Sequence, residues 1–231
     1  MNKYDKRRKY YIVLDCETAT LPHAINYTDE QRKNIAIAKP LIYDLGWKVM
    51  DAKGNTYARK NYLISEIFSV PSVFDTAYYA EKRPLYLEKL EKGEIILADW
   101  RSAVRELIED MDACEAVGAY NSMFDFKKAI PFTDLYINQL YSADFHKWLR
   151  WQNKIADELA TGIVHPSSKT FEETVFRFRE KEYPLFDLWG LSCEYLLDND
   201  EYRKACVLNG WQTASGKYFK TSAETTYRFI T

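Results

Sequence analysis

The 231-residue chain predicts an α/β domain, a mixed five-stranded sheet flanked by helices. Three patterns carry that expectation. Tyr10 to Leu14 is a near-continuous apolar run of strand formers, as in a strand buried on both faces. Residues 41–50 and 56–64 flank Asp51-Ala-Lys-Gly-Asn55, whose turn chemistry joins two strands as a hairpin. Residues 98–111 place Trp100, Val104, Leu107, Ile108 and Met111 along one side of an amphipathic helix. With 47% hydrophobic and 29% charged residues, the chain has enough apolar material for one substantial core under an ordinary hydrated surface.

Taken in order, residues 1–9 form a basic tail with Lys3, Lys6, Arg7, Arg8 and Lys9. It reads as a solvated tail, with a phosphate-contacting arm as the alternative. The domain proper spans residues 10–231. After the first strand, residues 21–39 make a helical or irregular excursion, and the hairpin follows. Residues 72–92 have mostly helical composition, interrupted at Pro84. The amphipathic helix leads to a short strand at 115–120. Asn121-Ser-Met-Phe-Asp125 then opens a helix, with Asn121 or Ser122 as its cap and Asp125 in its first turns. Residues around 134–161 read as a helical insertion whose Tyr136, Leu140, Trp148, Leu149, Trp151 and Ile155 pack on the domain or shape a substrate groove. Gly162 and Pro166 mark a loop over 162–170. The strand near 183–188 gives way to a helix at Asp187, which caps it or lies near the acids described next. Ser222 caps a last helix.

The chemistry centres on Asp15 and Glu17. A strand's period of two puts both carboxylates on one side of the backbone. Two such acids repel unless a cation lies between them, and hard cations such as Mg²⁺ and Mn²⁺ prefer carboxylate oxygens. If the 115–120 strand lies beside the first, Asp125 faces both acids across the sheet's carboxyl end. Together these segments resemble the DnaQ-like, or DEDD, 3′–5′ exonucleases of the ribonuclease H-like superfamily. Asp15-Cys-Glu17 matches the family's first motif, and Asn121, Phe124 and Asp125 match its Asn-x-x-Phe-Asp second motif.

The resemblance implies a ribonuclease H-like sheet whose first three strands form an antiparallel meander. It implies that Asp15, Glu17 and Asp125 bind two Mg²⁺ or Mn²⁺ ions, with Asn121 and Phe124 supporting and Thr18 contacting substrate. The implied activity is 3′–5′ hydrolysis of single-stranded DNA or RNA ends, releasing nucleoside 5′-monophosphates. The family's third motif, His-x-x-x-x-Asp or Tyr-x-x-x-Asp after the last helix, has no match. His146 and His165 lack the aspartate, and Tyr183 with Asp187 precedes the last helix. The chain is therefore expected to be the truncated product of a longer exonuclease. The alternative is a non-catalytic nucleic-acid-binding protein on the same scaffold.

Other classes fit less well. A net charge of −2 gives no global field for nucleic acid, although bound metal ions invert the local charge. No stretch is long and apolar enough to span a bilayer. Cys16, Cys114, Cys193 and Cys206 lack Cys-x-x-Cys spacing and read as reduced thiols of a cytoplasmic protein. His23, His146 and His165 form no zinc-type cluster.

Overall fold

Strand β1 spans Tyr10–Ala19, so Asp15 and Glu17 lie within a paired strand rather than just beyond one. Its extension follows from its neighbour. β2, Leu41–Asp51, pairs antiparallel with it from Tyr10↔Asp51 to Ala19↔Leu41, with one register shift between Glu17 and Thr18. The computed structural model describes residues 4–5, 8–161 and 174–231. Lys3, Lys6 and Arg7 of the basic run, and the loop expected at 162–170, lie outside the described residues.

Strands occupy all five expected places, but among the described residues the sheet has seven, in the order β4-β3-β2-β1-β5-β7-β6. β3 is Thr56–Ile64, β5 is Ala116–Ala119 and β7 is Lys181–Asp187. The additions, β4 at Ile96–Ala98 and β6 at Val175–Phe178, are short edge strands. The first three strands form an antiparallel ladder, whereas β5 runs parallel to β1 and β7 parallel to β5. The β2–β3 turn is held by Asp51, whose Oδ1 accepts from the backbone N–H groups of Lys53 and Asn55.

Several helix starts have a readable cause. Helix α1, Asp29–Ala38, begins with a capping box between Thr28 and Gln31. Pro84 sits in the first turn of α2, Arg83–Glu91, where its missing N–H costs nothing, so it starts this helix instead of interrupting one. Asp99 caps α3, Trp100–Met111, which buries Trp100, Val104, Leu107 and Met111. The expected insertion is two helices, α4 at Ile130–Leu140 and α5 at Phe145–Thr161. They pack on the core through Tyr136, Phe145 and Trp148. Helices α6, Leu188–Leu196, α7, Asp200–Leu208, and α8, Ala223–Ile230, follow β7; Ser222 caps the last.

Two apolar clusters result among the described residues. The main one gathers Ile12, Leu14, Tyr43, Trp47, Trp100 and Phe126 with many neighbours. The second is a small group of Leu196, Tyr202 and Cys206 under Trp211, Phe219 and Phe229. One buried acid belongs to the main core: Asp110 accepts from Trp47 Nε1 and Tyr4 Oη, each at 2.9 Å, and lies 3.8 Å from Lys60 Nζ. No described helix is long and apolar enough to cross a membrane.

Candidate active site

Alternation along β1 turns Tyr10, Ile12 and Leu14 into the core and leaves Asp15 and Glu17 on the other face. The β1–β2 register then sets a third acid beside them, because Asp15 pairs with Gly46 and Glu17 pairs with Asp44. Like charges directly opposite on neighbouring strands repel. The repulsion shows in the titration of Glu17 and Asp44. Burial pushes the Glu17 carboxyl up to about 7, helped by the charges of Asp15 and Asp44 and opposed by Lys82. Asp44 is pushed up to about 6, chiefly by burial and then by Asp15, while a hydrogen bond from Tyr86 and the charge of Lys89 act against the shift. Asp15 opens toward solvent, yet enough protein surrounds its carboxylate for desolvation to raise its pKa.

Asp125 stands at the end of β5 and meets β1 at Cys16, a residue that alternation sets on the other side of the strand from Asp15 and Glu17; of the three acids only Asp15 is felt in its titration. Asn121 takes a left-handed backbone at φ 81°, and Ser122–Phe124 forms one helical turn. A π-helical turn at Asp125–Ala129 then leads into α4, whose early Pro131 can donate no backbone hydrogen bond. Asp125 is only 4% exposed, and its Oδ1 accepts from Cys16 Sγ at 2.9 Å. Burial pushes its carboxyl up to about 7, the Cys16 thiol opposes that shift, and the charge of Asp15 adds to it. Burial also holds the Cys16 thiol well above its ordinary value, which keeps it a donor.

The supporting residues differ from expectation. Asn121 is exposed and its side chain caps nothing. The turn is anchored instead by Asp187, whose Oδ2 accepts from Ser122 N at 2.7 Å and Ser122 Oγ at 2.8 Å. Its Oδ1 accepts from Gly190 N at 2.8 Å, so one carboxylate caps α6 and pins the Asp125 turn. Phe124 is half-buried against the main core. Thr18 sits half-buried at the register shift. Tyr183, buried, donates to Asp112 at 3.0 Å, so it and Asp187 are both engaged in holding the fold.

No protein-family model matches the chain, and no curated protein matches it. What the residues can do must therefore be judged from the four acids. They are hard oxygen donors of the kind Mg²⁺ and Mn²⁺ select, and their raised pKa values come first from burial. Among the described residues, no three carboxylate, thiol or imidazole groups converge closely enough to form a ready cage. The donor chemistry fits a divalent cation; closure around one requires the carboxylates to move together. Asp44 was missed in the sequence. Its place on an alternating strand, between buried Tyr43 and Leu45, was visible, but only the register sets it against Glu17.

Proposed function

We propose that the chain is a metal-dependent 3′–5′ exonuclease of the DnaQ-like kind, on a ribonuclease H-like sheet, acting on single-stranded DNA or RNA. The observation that carries this reading is the set of four carboxyls, Asp15, Glu17, Asp44 and Asp125, with pKa values all displaced upward by burial and, except at Asp15, by one another. Perturbed titration concentrated in one place marks a site where charge is managed for function. The antiparallel ladder of β1–β3 followed by parallel β5 and β7 supports the fold assignment.

In this reading Asp15, Glu17 and Asp125 hold Mg²⁺ or Mn²⁺, and Asp44 adds a carboxylate on the β2 side. Held there, such ions would supply Lewis-acid activation of a water and charge stabilisation of the leaving oxygen. The protein's own groups position and balance charge. Cys16 orients Asp125 by donating to it, Asp187 fixes the turn that carries Asp125, and Lys82 offsets the charge of Glu17.

End-labelled single strands incubated with Mn²⁺, and separately with EDTA, test the assignment. Stepwise shortening from the 3′ end with Mn²⁺, abolished by EDTA and by Asp15→Asn, is the expected result. Shortening that persists in EDTA refutes it. A second reading is a binding module that holds strands without cutting them, favoured by the absence of a ready cage among the described residues. Salt-dependent binding with no shortening under any cation selects that reading.

A further inference from the structure

Between α1 and the Thr76–Tyr78 segment lies a cleft of about 300 Å³ that the proposed chemistry does not use. That volume is at the small end of ligand sites, which run roughly 300–1,000 Å³. One wall is a face of α1, with Asp29, Arg32, Lys33 and Ala36 at helical spacing; the other carries Thr76 and Tyr78. The wall at Thr76 is tied to the end of β1, because Thr20 N donates to Thr76 Oγ1 at 2.9 Å. Tyr79, the neighbour of Tyr78, has its hydroxyl pKa raised by burial and then by the charge of Glu17.

Its groups are poised to receive an anion. Arg32 Nη2 donates to the Tyr27 carbonyl at 3.2 Å, and Nη1 lies 3.8 Å from Asp29 Oδ1, which together hold the guanidinium in place. Arg32 Nε is buried and finds no acceptor among the described residues. Lys33 places its ammonium 5.8 Å from the centre of the Tyr78 ring, and that ring is 69% exposed. A forked cation, a point charge and an open aromatic ring match a phosphate joined to a flat base.

We propose that this cleft is a nucleotide subsite, with Arg32 and Lys33 on a backbone phosphate and Tyr78 against the adjoining base. It rests on the exonuclease reading, and it extends that reading by giving the strand a path from the acids onto α1. Asp29 is the one carboxylate on the rim, and it competes with the phosphate for Arg32.

The test uses the full chain in EDTA, with a labelled oligodeoxythymidine followed by fluorescence anisotropy and 5′-AMP followed by calorimetry. Arg32→Gln and Tyr78→Ala should each weaken oligonucleotide binding roughly tenfold. Lys33→Gln should lower the slope of log affinity on log salt by roughly 0.7. Asp29→Asn should tighten binding, an effect that a purely structural role for the Asp29–Arg32 pair does not produce. Variants that bind as the parent does overturn the subsite, and if the parent still shortens strands with Mn²⁺, the exonuclease reading survives. If the parent neither binds nor cuts oligonucleotides, that reading fails. Binding of 5′-AMP that Arg32→Gln removes then still supports the cleft, and no 5′-AMP binding overturns it as well.

Discussion

A hydrogen atom is all that fits at position 118. A Cβ built on Gly118 would stand 2.2–2.5 Å from three ring atoms of Phe186, and the two residues pair across β5 and β7. Gly118→Ala should therefore destabilise the protein by about 1–3 kcal/mol through overpacking. Adding Phe186→Ala should recover much of that loss. Urea denaturation of the single and double variants measures both, and a Gly118→Ala protein as stable as the parent refutes the contact. Asp110 is constrained in the opposite way, by what it must accept. Asp110→Ala leaves Trp47 Nε1 without its acceptor and removes the buried charge facing Lys60. A loss of about 3 kcal/mol is expected by the same measurement. Lys60 retains Glu106 as a second partner, so Asp110→Asn should cost less.

At the level of elements, the β1–β2 ladder makes stability depend on pH. Glu17 and Asp125 titrate at about 7 and Asp44 at about 6, above the values of roughly 4 for carboxyls in an unfolded chain. A carboxyl that holds its proton more tightly when folded favours folding at low pH, and that contribution disappears as pH rises from the unfolded to the folded value. In EDTA the protein should accordingly melt higher at pH 5 than at pH 8, and Mn²⁺ should raise the pH 8 value. Glu17→Gln with Asp44→Asn should flatten the difference. Melting temperatures level across this range in both proteins would refute the account.

The same elements show what could be read in advance. Strands at 10–14, 41–50 and 56–64 were legible because alternation and turn residues are local signals. β4 and β6, at three and four residues, are too short to show a period and form because a neighbour offers them hydrogen bonds. Asp15, Glu17 and Asp125 were legible as a motif, and the structure brings Asp125 into the field of Asp15. Asp187 was legible as the cap of α6, and it is one; its hold on Ser122 and the roles of Asp44 and Cys16 come from register and packing, which no single stretch of sequence encodes. Pro84 was misread because the same residue that breaks a helix interior also starts a helix.

Across the whole molecule, stability is uneven. The cluster of Leu196, Tyr202 and Cys206 is small, and around it Tyr195, Leu208, Tyr218, Tyr227 and Ile230 remain exposed. Few buried contacts mean a low free energy of local opening. Amide exchange should be faster over Asp200–Leu208 and Ala223–Ile230 than over Tyr10–Ala19 under native conditions. Tyr202→Ala should accelerate it further in the first two segments and leave the third unchanged, whereas equal protection everywhere would show a single cooperative unit.

The two short edge strands also bear on how the protein behaves when crowded. An open sheet border is a template on which another molecule's backbone can lay a further strand. β4 covers only Tyr62 to Ile64 of β3, and the uncovered stretch from Thr56 to Asn61 carries exposed Arg59 beside Lys60. At the opposite border, β6 alternates buried Phe176 and Phe178 with exposed Arg177. Both borders thus offer little length to an approaching copy; Arg59 adds a positive charge at the first, whereas Arg177 is already paired with Glu182 at 2.6 Å, so self-association by strand addition should stay slow until Arg59 is neutralised.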